Sequence, residues 1–372
     1  MVDVAGRDVP ALAAELGAAG VGGVISFTDD QLELASRLSM ALGLEGNPPE
    51  VVERLVDKAA QRRALARAGL PGPRFVVLAP GVSDHEVVHR VAALGGPVVV
   101  KPVRGSGSRH TARFDDVGDV AGHLRSVDGA GSVGWIVEEW LGGCRPSVAE
   151  PFADYVSVEA VGRQGVVVPL AVTGKFPLAE PCRETGNFLP HHLDPDVATA
   201  VRDVAVRAAG ALGVRSGALH IEVKLTRTGP QVIEVNGRVG GGAIDALFDS
   251  VYGYSLTGLA AGVAVGDPVD PVVSEAPRID GIAYAYFVQP PCGAGRLAAL
   301  DGLEGLAAID GVTATTVNRV VGDELDWRDG SQGYLVSVQG VARDLVDLTG
   351  VPERVRDLLD VSYGRPVALS AT

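Results

Sequence analysis

Glu234, Asn236 and Arg238 fall at every second position of the stretch VIEVNGRVGGG, Val232–Gly242, which then runs into three glycines. At strand spacing, alternate residues share a face. An acid, an amide and a guanidinium therefore project together, while Ile233 and Val235 face a core. The preceding ALHIEVKL, Ala218–Leu225, reads as a second strand, and Thr226–Pro230 as a five-residue hairpin connection. Closing the hairpin by pairing Leu225 with Gln231 sets Glu222 opposite Glu234. Like charges directly opposite on one sheet face repel, so a cation should lie between them. Two carboxylates and an amide oxygen suit Mg²⁺, which takes one or two protein carboxylates and completes its octahedron with water and phosphate oxygens. A solvated hairpin with scattered charges is the competing reading, and it explains one acid better than it explains the four residues together.

The lysines add a second clue. Of 32 basic residues only Lys58, Lys101, Lys175 and Lys224 are lysines. A chain that uses arginine as its general cation places lysine where a compact ammonium on a flexible stem is needed, as in point-charge binding of phosphate. Lys101 ends a strand PVVVK and is followed by PVRGSGSRHT, in which Gly105, Ser106, Gly107 and Ser108 form a loop whose amides can wrap phosphate oxygens. The order differs from a P-loop, where the lysine follows the glycines. IVEEW, Ile136–Trp140, then reads as a hinge strand with Glu138, Glu139 and Leu141 at its end. An adenine edge can be read there by the carbonyl of Glu138 and the amide of Leu141.

These residues must be carried by a sizeable chain. Its 372 residues, 47% hydrophobic and 21% charged, fit a globular protein of two or three domains. No apolar run reaches the ~18 residues of a membrane span, and the start shows no basic region followed by an apolar one. The net charge of −14 argues against nucleic acid and anionic membranes as partners. Three cysteines, Cys144, Cys182 and Cys292, lack metal or redox spacing and fit a reducing cytosol. The elements expected are a short strand GGVISF and a helix DDQLELASRLSMALGL with an apolar face of Leu32, Leu34, Ala35, Leu38, Ala41 and Leu42. A helix opened by Pro48 and Pro49, closed at Gly69, carries Lys58 in its middle. A single helix is expected near 244–264. A smaller unit of β-α-β-β-α character closes the chain, ending in the helix VPERVRDLLDVSYG.

The order Lys58, Lys101 with its glycine loop, the VEEWL hinge, then Glu222, Glu234, Asn236 and Arg238 resembles the ATP-grasp superfamily. DKAAQRRALARAGLPGP, ETGNFLP, HIEVKLT and EVNGRVGGG resemble its L-amino acid ligases, which make dipeptides and related amides. The resemblance implies an α+β and α/β architecture: two α+β lobes clamping ATP, a reduced N-terminal lobe over 1–47, the ATP-grasp domain over 48–272 with a lid at about 74–140, and a ligase lobe over 273–372. It implies ATP and Mg²⁺, with Mn²⁺ as a substitute, and a cytoplasmic enzyme whose partners are a small carboxylate and a small amine, with room for a homodimer.

In that reading ATP phosphorylates the carboxylate and the amine displaces phosphate, leaving an amide, ADP and inorganic phosphate. Lys58 and Lys101 hold ATP phosphates, and Asp154 contacts the ribose. Glu222, Glu234 and Asn236 hold the metal, and Arg238 neutralises the reacting oxygen. Lys175, Glu184, His191 and Gly241 lie toward the substrate, with a loop salt bridge as the plainer reading of Lys175 and Glu184.

Three features depart from the family. Only about 45 residues precede the Lys58 helix, the connection between Leu141 and Asp154 is long, and His110 stands where the loop commonly has glycine. His220, beside Glu222, reads as a hydrogen-bonded packing residue. A biotin-carboxylase-like carboxylase and a non-catalytic ATP-binding regulator are the alternatives. The first lacks its longer glycine run here, and the second sits badly with a full set of Lys, Glu, Asn and Arg.

Overall fold

The computed structural model describes residues 6–127, 134–143, 150–268 and 277–365. The chain divides into two compact units, each drawn from three segments. The first takes Met1–Gly72, Val156–Thr173 and Leu193–Arg278; the second takes Pro73–Tyr155, Gly174–His192 and Ile279–Thr372. The strands in chain order are β1 (Phe75–Leu78), β2 (Val98–Pro102), β3 (Ala112–Phe114), β4 (Trp135–Glu139), β5 (Tyr155–Arg163), β6 (Val166–Lys175), β7 (Gly186–Leu189), β8 (Gly217–Thr226), β9 (Gly229–Asn236), β10 (Ile282–Val288), β11 (Arg296–Asp301), β12 (Val312–Val317), β13 (Val336–Ala342) and β14 (Asp360–Gly364).

In the first unit the strands neighbour one another in the order β6, β5, β8, β9, so β9 is an edge. The helix Pro195–Leu212 buries Val201, Ala205, Ala208, Ala209 and Leu212 and packs on β9. The helix expected over 49–69 is two. Pro49–Val56 ends at Asp57, whose extended backbone (φ −105°, ψ 107°) breaks the run, and Lys58–Arg67 begins there. Asp57 caps the second helix by accepting from the amide of Ala60 at 2.7 Å. Lys58 therefore opens a helix instead of lying in the middle of one. The helix expected near 244–264 also divides, into Ile244–Tyr252 and Leu256–Ala264, because Gly253 ends the first at φ 75°.

GGVISF, residues 22–27, forms no strand, and no neighbouring strand offers it a ladder. The helix after it is present as Leu32–Leu42, with Leu32 and Leu38 buried. Ala41 is exposed and Ser36 and Ser39 are buried instead; Ser36 donates to the carbonyl of Asn47 at 2.7 Å.

In the second unit β1, β4, β2 and β3 form a sheet in that order, covered by Val87, Val91, Val120 and Ala121. β12, β13, β10 and β7 neighbour one another in turn, and β11 pairs with β14. The core here gathers Phe152, Phe176, Phe188, Tyr284 and Tyr286 around Leu297 and Leu335. The closing helix expected as VPERVRDLLDVSYG stops at Leu358, and Asp360–Gly364 turn into β14. The expected boundary at 272/273 lies outside the described residues. No helix among the described residues is long and apolar enough to cross a membrane.

Candidate active site

The β8–β9 hairpin does set Glu222 opposite Glu234, and His220 opposite Asn236, but through a different register from the simple one. Thr226 pairs with Gly229, Leu225 with Pro230 and Val223 with Val232, so the turn is short and a plain ladder would put Glu222 opposite Ile233. A bulge between Glu222 and Val223 supplies the missing step, with Ile233 as the extra residue. Val232 and Val235 are consequently the buried pair, and Ile233, expected in the core, is half-buried.

The helix Lys58–Arg67 holds this bulge in place. Arg62 donates to the carbonyls of Val232 at 2.9 Å and Ile233 at 2.5 Å. Gln61 pairs with Val235 like a neighbouring strand, accepting from its amide and donating to its carbonyl, both at 2.9 Å. Lys58 Nζ lies 3.0 Å from Glu234 Oε1. Lys58, Gln61 and Arg62 stand at i, i+3 and i+4, one face of a helix. Sequence reasoning named only the first of them; that spacing was the signal for the other two.

The cation expected between Glu222 and Glu234 is therefore partly present as protein in Lys58 at Glu234, while His220 Nε2 lies 3.6 Å from Glu222 Oε1. The donor set fits Mg²⁺ or Mn²⁺: oxygen ligands only, two of them carboxylates. Among the described residues no group of three or more His, Cys, Asp or Glu is placed to hold a metal ion; the set here is two carboxylates and an amide, and Mg²⁺ completes such a shell with water and phosphate oxygens. Glu222, Glu234 and Asn236 are the residues that would hold it.

Arg238 follows beyond β9. Its Nε donates to Asp29 Oδ2 at 2.8 Å and Nη1 to the carbonyl of Val239 at 3.2 Å, fixing the plane of the guanidinium. Arg238 also lines a cavity of about 70 Å³ with Ser26, Leu32, Ser36 and Asn47. The short N-terminal piece thus reaches a proposed functional residue. Gly241 is exposed, and a Cβ there would meet nothing.

All four lysines are buried. In the second unit Lys101 Nζ lies 2.7 Å from Glu138 Oε2, with the two side chains 9% and 5% exposed. Glu138 thus holds a lysine with its side chain, a role not foreseen. β4 runs between β1 and β2, so Glu138 has Phe75 and Val99 as strand partners. Glu139 pairs with Arg74 at 3.2 Å, which holds its carboxyl below the ordinary range. Leu141 follows outside the strand.

The glycine loop is held in a conformation that glycine favours even where side chains stand. Gly107, Ser108 and His110 have φ of 63°, 57° and 53°, so His110 takes a backbone shape that glycine favours. Gly107 accepts from the amide of Ser331 at 2.8 Å, and the amide of His110 donates to Arg328 at 3.1 Å. Gly330 leaves room for this contact, since a Cβ there would lie 2.2 Å from the carbonyl of Gly107.

Lys175 is fully buried, 2.7 Å from Asn187 Oδ1 and 3.2 Å from Glu184 Oε1. Tyr155 donates to the same Glu184 oxygen at 3.4 Å, and Ser331 accepts from the amide of Glu184 at 2.9 Å. The structure thus joins Lys175 to Glu184 and adds Asn187 to them. Asp154 lies against Gly143, where a Cβ would be 2.2 Å from Oδ2. Much of the long connection before it, 144–149 with Cys144, is outside the described residues. His191 is half-buried, two residues beyond the end of β7.

Residues 94–246 match the ATP-grasp domain. The chain is 29% identical over 294 residues, 78% of its length, to the uncharacterized protein y4rH of Sinorhizobium fredii. It is 26% identical over 252 residues, 62% of its length, to alanine–anticapsin ligase of Bacillus subtilis. It spans only 58% and 52% of those relatives' own lengths. The fold matches the crystal structure of an L-amino acid ligase from Bacillus licheniformis, with a TM-score of 0.76 and 22% identity over 96% of this chain and 86% of that one. The chain therefore has the ATP-grasp fold, with the domain match lying over residues 94–246, and among the proteins that share it resembles the L-amino acid ligases.

Proposed function

We propose that the chain is an ADP-forming ligase that joins a small carboxylate, amino acid or relative, to an amine through an acyl phosphate. The bulged hairpin carries this reading: it sets two carboxylates face to face beside a buried lysine and an amide, on a rigid support. Phosphoryl transfer is mostly positioning and electrostatic clamping, and these residue types supply both. Mg²⁺ between Glu222, Glu234 and Asn236, when bound, neutralises charge on the transferring phosphate.

Lys58 and Lys101 hold phosphate oxygens, and Gly105, Ser106, Gly107 and Ser108 offer backbone amides to them. The carbonyl of Glu138 and the amide of Leu141 read adenine, with Glu139 at the strand end and Asp154 toward the ribose. Lys175, Glu184, His191 and Gly241 face the substrate side. Arg238, held by Asp29, donates to the carboxyl oxygen on which charge grows as the amine adds. A fixed cation contributes most where charge develops. Alanine–anticapsin ligase, by its name a ligase of two small molecules, supports the class of reaction.

The test is the nucleotide product. Pairs of amino acids with ATP and Mg²⁺ should yield ADP, phosphate and a product of amide mass, with little turnover of ATP alone. AMP and pyrophosphate would sink the acyl-phosphate route, and turnover with bicarbonate in place of the amine would favour a carboxylase. Arg238→Ala and Arg238→Lys should each lower kcat by about a hundredfold or more with ATP affinity little changed. Normal kcat with weakened ATP binding would reassign Arg238 to the nucleotide.

A further inference from the structure

Behind Glu222, in the interior of the first unit, lies a polar cluster that the proposed chemistry does not use. Glu159 on β5 is 1% exposed and His220 on β8 is 5% exposed. Both carboxylate oxygens of Glu159 lie 3.0 Å from His220 Nδ1. Ser157 Oγ and Thr173 Oγ1 donate to Glu159 Oε1 at 2.8 and 3.2 Å. A carboxylate so placed assigns the donor hydrogen to Nδ1, and the opposite nitrogen, Nε2, faces Glu222 Oε1 at 3.6 Å. The backbone carbonyl of the same histidine accepts from Asn236 Nδ2 at 3.3 Å. One residue therefore touches two of the three proposed metal ligands, by its ring and by its main chain.

Gly240 explains part of the glycine run. Its φ is outside the left-handed region, so backbone freedom is not the reason for glycine there. A Cβ at 240 would lie 2.6 Å from His220 Nδ1, 3.1 Å from Glu159 Oε2 and 2.8 Å from Ile244 Cδ1. The missing side chain is the space that the imidazole and carboxylate fill. Stability alone does not call for such a pair, since well-packed apolar groups of similar volume often serve a core as well or better.

We propose that Glu159 and His220 are positioning residues that orient Glu222 and Asn236 toward the metal, with Gly240 leaving them room. The proposal rests on the reading of Glu222, Glu234 and Asn236 as metal ligands. Partners that orient metal ligands from behind are worth about ten- to a hundredfold in metal affinity.

The experiment titrates Mn²⁺ into the full-length chain with ADP present and follows the free-ion electron paramagnetic resonance signal. His220→Gln and Glu159→Gln should each raise the Mn²⁺ Kd by about ten- to a hundredfold. Gly240→Ala, which changes no charge, should raise it in the same direction. Circular dichroism without metal or nucleotide reports whether each variant is folded; Glu159→Gln keeps the shape of the side chain and serves if His220→Gln does not fold. Wild-type Mn²⁺ affinity in folded His220→Gln and Glu159→Gln overturns the positioning role. Should Glu222→Gln and Glu234→Gln then still lose Mn²⁺, the ligand reading stands without it. A wild-type chain that fails to bind Mn²⁺, or a Glu222→Gln variant that binds it unchanged, overturns the ligand reading and this proposal together.

Discussion

The two units each hold a lysine against a glutamate, at 3.0 Å for Lys58–Glu234 and 2.7 Å for Lys101–Glu138, yet the pairs are built on different supports. Lys101 and Glu138 stand on adjacent strands of one sheet, β2 and β4, and both are buried. Lys58 opens a helix and reaches across to the edge strand β9, where Glu234 is partly exposed. A pair locked in a sheet interior has little freedom to exchange partners. A pair between a helix end and a bulged edge is less confined, as the proposed binding of a metal ion and a phosphate there requires. In the proposed reaction Glu234 must give up part of its hold on Lys58, whereas Glu138 can keep Lys101 aimed throughout.

The largest effect should come at the exchangeable pair. Glu234→Gln should lower turnover by about a thousandfold or more, since a carboxylate ligand beside the transferring phosphate is lost. Repulsion from Glu222 alone would make this variant more stable without metal. The structure predicts the opposite, a loss of about 1 kcal/mol, because Lys58 is left without its carboxylate. Metal-free thermal unfolding with a midpoint above wild type would show that repulsion dominates after all.

At the locked pair the effect should be on stability. Lys101→Met takes the lysine away from the buried Glu138 carboxylate, which should cost about 3 kcal/mol, against about 1 kcal/mol for Lys58→Met. Adding Glu138→Leu to Lys101→Met should restore much of the loss, as a double-mutant cycle in urea would show. Equal losses at the two lysines would dissolve the distinction between the pairs.

The clamp behind the exchangeable pair should matter less. Arg62→Ala removes the donor from two carbonyls at the bulge and should cost about 2 kcal/mol. It should also raise the Mg²⁺ concentration needed for half-maximal turnover, because Glu234 stands next to the bulge. An Arg62→Ala enzyme that is destabilised but has unchanged Mg²⁺ dependence would separate the clamp from the metal site.

Much of the hairpin was legible because side-chain alternation is local. The common face of Glu234 and Asn236, and the pairing of Glu222 with Glu234, follow from strand period and turn position. That pairing was reached through a register one step out, and it holds because Ile233 bulges. A bulge has no reliable mark in a run of alternating residues; here it is held by Arg62, 170 residues away from Val232 in sequence. The strand expected at GGVISF failed for a related reason, since a β-prone run becomes a strand only beside a partner. The breaks at Asp57 and Gly253 were in principle visible as a capping acid and a glycine, and apolar periodicity ran across both.

Residue types, their spacing along elements and the sparing use of lysine marked, from sequence alone, the groups available for chemistry, and the resemblance those residues carry implied the fold's kind. Local periodicity settles which side chains share a face, because a neighbour two or four positions away needs no tertiary contact to be placed. Which glutamate each lysine meets was decided only by tertiary structure. So were the seating of Arg238 against Asp29, 209 residues distant, and the reason Gly240 has no side chain. These depend on packing between segments far apart in the chain, where steric room and the need to satisfy buried charge select one partner from many that the sequence permits.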